Sequence, residues 1–300
     1  MHLKSAHTVI LSVTLCFFLW GCAAIIFPQP GSPVLKQSVF ATEDRDSTIT
    51  VDHEPWNLFL ELYATKDRYD IVRVKYGDVV AEQHEELAKY LDKLSMIDTA
   101  TLNRSEQLAY WVNLYNASVV KLILDHYPIR SIMDIQTTFL GTSPFNMPVV
   151  KVRGRKYSLN YVKDHIIRPL WALEPRVHYL LCDGAVSSPN LALEAYTAKD
   201  LDKTLVNAAA QYVNHFKGLT ITKDRHVVAS RLYEWYEDDF GRSPERAFHH
   251  IYVYSREKQR DRLEIYEEID AYRYNWLLND AKFANDTTPE TYLNQGKYNP

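Results

Sequence analysis

The sequence has few cysteines, no excess of positive charge and no internal repeat. Its 300 residues contain three cysteines, and two of them, Cys16 and Cys22, lie near the amino terminus. Cys182 is alone in the rest of the chain, which excludes an intrachain disulfide there and a metal site built from several thiolates. The formal net charge of −4 gives no basic surface of the kind that binds nucleic acid. The sequence predicts no cofactor, no metal and no nucleic-acid partner.

Charge is also missing from the amino-terminal segment. Lys4 is the one formally charged residue among the first 35, and the 20 residues from 8 to 27 contain none. A basic residue ahead of an apolar run is typical of a secretory signal or a membrane anchor. At about 1.5 Å per residue the run could cross a hydrocarbon core of roughly 30 Å, so its length does not separate a cleaved signal from an uncleaved anchor.

A short motif inside this run adds the possibility of lipidation. Leu19-Trp20-Gly21-Cys22 resembles the lipobox of bacterial lipoproteins, in which the cysteine is lipidated and becomes the first mature residue. Trp20 is bulkier than the residue usual at its position. We therefore expect export and attachment to the inner or outer membrane, through a lipidated Cys22 or through an uncleaved anchor, with ordinary cleavage as the third option. The protein would then face the periplasm or the exterior of the cell envelope.

The remaining chain is predicted to contain a linker, one domain and a tail. Residues 28–52 are rich in proline, serine, threonine and charge, which is typical of a flexible linker. A hydrophobic share of 46% is ample for a buried core, and residues 53–281 have the length of a single globular domain. Residues 282–300 form a polar tail that we expect to be loose.

The clearest predicted element is a buried helix over about 103–126. Asn103 and Glu106 have the spacing of a helix cap and its third residue, a capping-box-like start. Apolar side chains then recur every three or four residues, and Pro128 ends the helix. This stripe is formed by Leu108, Trp111, Val112, Tyr115, Val119, Leu122 and Ile123. Shorter helices are predicted near 56–63, 79–97, 158–168 and 198–215, and after residue 243.

Three segments predict a small, mostly antiparallel sheet. Residues 149–158 and 218–229 each have the pattern of a hairpin, and the apolar run 177–182 predicts a buried strand. Ser188 followed by Pro189 predicts a helix cap with proline at the first helical position. The fold class is therefore α+β and mainly helical, with a papain- or transglutaminase-like arrangement as one option.

Several motifs, taken in order, resemble the domain of unknown function 547 family. They are EQLAYWVNLYNA at 106–117, HYP at 126–128, SLNYVKDHIIRP at 158–169, PRVHY at 175–179, SPNL at 188–191 and YNWLLN at 274–279. The resemblance extends over roughly residues 75–280. It implies a bacterial envelope protein and, for one branch of the family, a peptidase that acts on peptidoglycan.

The chain departs from this family at two cysteines. The family's pattern places them five residues apart after the His-aromatic pair, at positions that match Asp183 and Ser188 here. Cys182 lies one residue before the first of them. A thiolate is the likeliest nucleophile in a hydrolase of this kind, and a serine in its place needs a base of its own.

The candidate site residues each allow a chemical and a structural interpretation. His178 could act as a base or be a hydrogen-bonded structural histidine, and Asp183 could orient it or cap a turn. Ser188 could be a nucleophile or a plain helix cap. Cys182 could be a displaced nucleophile or a buried, inert thiol.

Three further side chains are candidate binding residues. Asn113 and Asn116 lie one turn apart in an apolar helix, where amide groups need partners, so they either line a pocket or brace a loop. His165 could contribute to binding, although the sequence does not predict a metal site shared with His178. We expect His178, Asp183, Ser188 and Asn116 to converge on one cleft.

Two functions follow from these residues. The first is a degenerate, non-catalytic binding domain of the cell envelope, with peptidoglycan or another envelope component as its partner. The alternative is a cysteine- or serine-type amide hydrolase that acts on cell-wall peptides. A purely structural envelope protein is the third option. The missing cysteines favour the binding domain, and what separates it from the hydrolase is whether Cys182 or Ser188 reaches His178.

Overall fold

The computed structural model describes residues 40–135 and 143–294. The predicted export segment, including Cys22, lies outside these residues. Within them the fold is α+β and mainly helical, as predicted. No helix among the described residues combines the length and the apolar character that crossing a membrane requires. The papain- or transglutaminase-like arrangement stays a prediction.

The amino-terminal half surrounds one long helix. Helix α1 is Glu54–Tyr63, α2 is Ala81–Ser95 and α3 is Arg104–His126. A hairpin of β1 (Ala64–Lys66) and β2 (Val72–Val74) pairs antiparallel between α1 and α2 in the chain. Helix α3 is buried on nearly all sides, because the core packs around it. Its predicted stripe is confirmed: Trp111, Tyr115, Val119 and Leu122 are each exposed by 2% or less.

The start of α3 is only partly as predicted. The Asn103 side chain accepts a hydrogen bond from the Glu106 amide at 3.0 Å, so the cap is confirmed. The Glu106 carboxylate, however, accepts from the amide of Val51 at 2.8 Å. Phe40 is also buried, against the ring of Trp111. Phe40 and Val51 therefore contact α3, whereas most residues between them are exposed. The flexible linker over 28–52 stays a prediction.

The middle of the chain forms a hairpin and a composite helix. Strands β3 (Val150–Val152) and β4 (Arg155–Tyr157) pair antiparallel, as predicted. The helix that follows consists of α4 (Leu159–Tyr161), a π-helical segment (Val162–Ile167) and α5 (Arg168–Leu170). It ends at Leu170, two residues beyond the predicted end at 168, and includes Pro169.

The carboxy-terminal half has its own three-stranded sheet. Strand β6 (Val227–Ser230) pairs antiparallel with β5 (Leu219–Ile221) and parallel with β7 (Ala271–Arg273). The helices around it are α6 (Leu201–Val213), α7 (Leu232–Trp235), α8 (Pro244–Tyr254), α9 (Glu257–Leu263) and α10 (Pro289–Asn294). The β3–β4 hairpin lies outside this sheet, so the single sheet predicted from three segments was wrong.

Two further predictions fail in this half. The apolar run 177–182 is not a strand, because Pro175–Leu180 forms a 3-10 helix that the Glu174 side chain caps. Proline in the first turn and a capping carboxylate favour helical geometry over an extended strand. The tail after residue 281 is not loose over its described part, since Phe283 and Tyr292 are buried in the core.

Candidate functional site

A narrow pocket opens beside the π-helical segment. Its empty space amounts to about 460 Å³, part of it open to solvent. Aromatic and apolar side chains form most of its wall, and four polar side chains interrupt it. The lining residues are Met133, Ser143, Phe145, Asn160, Lys163, Asp183, Trp235, Tyr236 and Trp276.

An ion pair forms the polar centre of this pocket. The Lys163 ammonium lies 3.6 Å from Asp183 Oδ1, and the side chains are 7% and 15% exposed. The Tyr115 hydroxyl donates to the same carboxylate oxygen. Burial opposes the charge of Lys163, but the Asp183 carboxylate raises the pKa of Lys163 well above its usual value. The pocket therefore presents an ammonium donor and a carboxylate acceptor side by side.

Aromatic rings surround the ammonium of this pair. Lys163 Nζ lies 5.6 Å from the ring centre of Phe145 and 5.4 Å from that of Tyr236. Both distances are within the range of cation–π attraction. The rings of Trp235 and Trp276 pack against each other at 5.7 Å and complete the wall. Lys163 projects from the π-helical segment, a distortion that often occurs at functional sites.

His178 lies behind this wall and is held by a charged network. Its Nε2 is 2.7 Å from Asp239 Oδ2, and the Arg168 guanidinium contacts the same carboxylate at 2.6 and 3.0 Å. The His178 ring packs 4.3 Å from the ring centre of Tyr236 and is 2% exposed. His178 thus supports Tyr236 from behind and does not line the pocket.

Burial determines the protonation states in this network. It lowers the pKa of His178, although the Asp239 carboxylate acts in the opposite direction. Burial alone would raise the pKa of Asp239, but hydrogen bonds from His178 and Arg168 lower it to about 2. A neutral His178 then donates from Nε2 to an ionised Asp239, which fixes the tautomer of the ring.

Ser188 and Cys182 form a separate buried cluster. The Ser188 hydroxyl donates to the Ala185 carbonyl oxygen at 2.7 Å and lies 3.4 Å from Cys182 Sγ. Ser188 is fully buried and Cys182 is 3% exposed. The contacts of His178 are with other residues, so neither candidate nucleophile reaches it. Burial also raises the pKa of Cys182, which favours the unreactive thiol.

The prediction that Ser188 caps a helix was wrong. No helix begins at Pro189, and the next one along the described chain is α6, which begins at Leu201. The Ser188 side chain and amide instead both donate to the Ala185 carbonyl oxygen and close the turn 185–188. Gly184, whose φ is +74°, lies directly before this turn. A Cβ on Gly184 would lie 2.5 Å from the Ile123 side chain, so the chain at Gly184 passes directly over α3.

The two asparagines of α3 brace the segments that pass over it. Asn113 donates to the Tyr196 carbonyl oxygen at 2.8 Å and accepts from the Tyr196 amide at 3.0 Å. Asn116 donates to the Leu180 oxygen at 2.9 Å and accepts from the Cys182 amide at 2.9 Å. These bonds satisfy both amide groups in the core, so the bracing interpretation is correct for Asn113 and Asn116.

The residues that were expected to converge on one cleft therefore do not lie together. Asp183 lines the pocket, whereas Asn116, His178 and Ser188 do not, and His165 is exposed beside the ring of Tyr161. Five residues were not predicted from the sequence: Lys163, Trp235, Tyr236 and Trp276 in the wall, and Asp239 behind it. Lys163 and Trp276 both lie inside motifs that carry the family resemblance, and this was the signal available for them.

Comparison with known proteins identifies one relationship. Residues 99–213 match the model of the family described as protein of unknown function, DUF547. This match includes α3, the composite helix with Lys163 and the turn with Asp183. No curated protein and no solved structure matches the chain.

Proposed function

We propose that this chain, whose residues 99–213 match the DUF547 family model, is a membrane-anchored envelope protein that binds a ligand without cleaving it. The observation that carries the proposal is the pocket with the Lys163–Asp183 pair at its centre. It offers binding groups of both charges next to aromatic rings, which is typical of ligand sites.

The pocket contains no activated nucleophile at the position where the family resemblance expects one. Asp183 occupies the position of the first cysteine, and its carboxylate is held by Lys163 and Tyr115. A nucleophile also needs a base within hydrogen-bond reach, and the side-chain contacts of His178 are with Asp239, Tyr236 and Phe240 rather than with Cys182 or Ser188. These contacts support binding over hydrolysis.

The shape and charge of the pocket favour a ligand with a flat apolar face and a polar end. Trp235 and Trp276 can stack against the face, and Lys163 and Asp183 can bond to an acceptor and a donor at the end. The sugar and peptide units of peptidoglycan combine these properties. We therefore propose soluble peptidoglycan fragments as the ligand class.

Binding of such fragments should depend on both parts of the pocket. In calorimetric titrations of the purified full-length protein, Asp183→Asn and Trp235→Ala should each weaken binding at least tenfold, about 1.4 kcal/mol. Asp238→Asn and Trp171→Ala change the same residue types away from the pocket and should leave the affinity unchanged. Equal affinities for all five proteins would contradict this site.

The proposal of membrane attachment rests on the uncharged run 8–27 that follows Lys4. The protein should appear in the membrane fraction of the cell, and a palmitate analogue should label it through Cys22. Labelling that persists in Cys22→Ala would contradict lipidation and leave an uncleaved anchor. Recovery mainly from the soluble cytoplasm would contradict export altogether.

A further inference from the structure

A second, smaller pocket lies between the loop after Ser188 and the end of α6. Asn190, Gln211, His215 and Lys217 contribute polar groups to its wall. Its most unusual member is Lys217, which is only 3% exposed although lysine is rarely buried without an acidic partner. The proposed binding function does not use this pocket.

Lys217 has too few partners for a buried ammonium group. Its Nζ donates to Asn190 Oδ1 at 2.6 Å. This is its single side-chain hydrogen bond in the part of the chain that the structure describes, and no carboxylate there pairs with it. Nζ also lies 6.0 Å from the ring centre of Tyr212. An ammonium group has three donors, so Lys217 still has donor capacity beside the pocket.

A second buried cation lies next to Lys217. Arg73 is fully buried, and its Nε donates to Asp67 Oδ2 at 2.9 Å. Its Nη1 and Nη2 atoms are buried and have no hydrogen-bond partner among residues 40–135 and 143–294. Asn190 Oδ1, which accepts from Lys217, also accepts from the amide of Val72 at 3.1 Å. Asn190 therefore links Lys217 to β2, the strand that contains Arg73.

The positive charge of this cluster exceeds its negative charge. The Asp67 carboxylate also accepts from the amides of Tyr69 and Ile71, and its single negative charge faces the two cations Arg73 and Lys217. Burial, together with the charge of Arg73, lowers the pKa of Lys217 to about 7. A buried excess of one sign is unfavourable unless an opposite charge neutralises it.

The neighbouring histidine, His215, gives the Lys217 ammonium neither a charge nor a free acceptor. His215 Nε2 donates to the Tyr69 carbonyl oxygen at 2.7 Å, and Nδ1 accepts from the Lys217 amide at 3.2 Å. Both ring nitrogens are thus engaged in a neutral ring, and burial lowers the pKa of His215 to about 4. The group that fits the free donors is an anion that enters from the pocket.

We propose that this pocket binds a small oxyanion, a carboxylate or phosphate group, through the Lys217 ammonium, with the buried charge of Arg73 behind it. Hydrogen bonds between ionised groups are about twice as strong as neutral ones. An anion at this position would also restore the full positive charge of Lys217. The site is independent of the Lys163–Asp183 pocket and can be tested separately.

Calorimetric titration of the full-length protein with inorganic phosphate and with acetate, at constant ionic strength, tests the proposal. Wild type should bind one of the two saturably, with one ion per chain, and the tighter anion identifies the class. Lys217→Met should weaken binding at least tenfold, whereas Lys223→Met, at the exposed turn of the β5–β6 hairpin, should not. Wild type without saturable binding, or Lys217→Met with the same affinity, would overturn the proposal.

A second measurement does not depend on how well Lys217→Met folds. The ammonium of Lys217 in the wild-type protein can be titrated by NMR with and without the tighter anion. Binding should raise the pKa of Lys217 from about 7, because an adjacent negative charge stabilises the ammonium. An unchanged Lys217 titration at saturating anion would overturn the assignment even if the anion bound elsewhere.

Discussion

Lowering the pH from 7 to 4 should remove much of the domain's folding stability. Burial lowers the pKa of His53, His215 and His250 to about 4, and it also lowers the pKa of His178. In the unfolded chain each of these histidines binds a proton below about pH 6.5. Between these two values the unfolded state holds more protons, so stability falls as the pH falls.

The expected effect per histidine is large. One pKa unit corresponds to about 1.4 kcal/mol, so a histidine whose pKa falls from 6.5 to about 4 should destabilise the fold by roughly 3 kcal/mol at pH 4. Urea unfolding at pH 7 and pH 4 measures the difference. Equal stability at both pH values would contradict the statement that burial keeps these histidines neutral in the folded protein.

His250 offers the cleanest variant for this test. Its ring packs among Tyr179, Phe240 and Tyr254, and its buried Nε2 has no hydrogen-bond partner within the described residues. His250→Phe places another aromatic ring at this position and removes the unpaired polar atom. It should therefore raise the folding stability and weaken the dependence of that stability on pH. His249→Phe changes the exposed neighbour and serves as the control. If stability depends on pH equally in both variants, His250 does not contribute to the pH dependence.

Asp239→Asn should be among the most destabilising single substitutions in the domain. The carboxylate binds both His178 and Arg168, and Arg168 is 7% exposed. Removing one partner of a buried pair leaves the other charge uncompensated, which typically costs 3–5 kcal/mol. Since Asp164 also lies 3.3 Å from Arg168, we expect about 3 kcal/mol, the lower end of that range.

The adjacent aspartate supplies the control for this prediction. Asp238 lies 3.8 Å from Arg242 in an exposed pair, and exposed pairs contribute at most about 1 kcal/mol. Asp238→Asn should therefore leave the urea midpoint nearly unchanged. If Asp239→Asn unfolds at the same urea concentration as Asp238→Asn, His178 and Arg168 do not depend on this carboxylate.

The local pattern of the sequence predicted the helices well and one strand badly. The spacing of Trp111, Tyr115 and Val119 indicated a helix whatever packed around it, and α3 confirms it. The run 177–182 is apolar because it is buried, not because it is a strand. Its 3-10 helix and the residues after it lie between α3 and α6. A short apolar run does not distinguish a strand from a buried helix.

The site was less predictable, because its geometry depends on contacts between distant residues. Asp183 was found because it replaces a family cysteine. Asp239 was missed because 61 residues separate it from His178. Lys163 was missed because its direction depends on the π-helical segment, which the periodicity of the sequence does not predict. The role of His178 as a support could be recognised only once its packing against Tyr236 was known.

The central claim is that the protein binds peptidoglycan fragments without cleaving them. The most direct test is whether a bound fragment stays intact. Wild-type protein would be incubated with an excess of the fragment, and the bound and free fractions would then be analysed by mass spectrometry. Binding without catalysis predicts that the fragment is recovered intact from both fractions, with one fragment bound per chain. Cleaved amide products from wild type, together with their loss in Asp183→Asn, would contradict it and assign a catalytic role to this pocket.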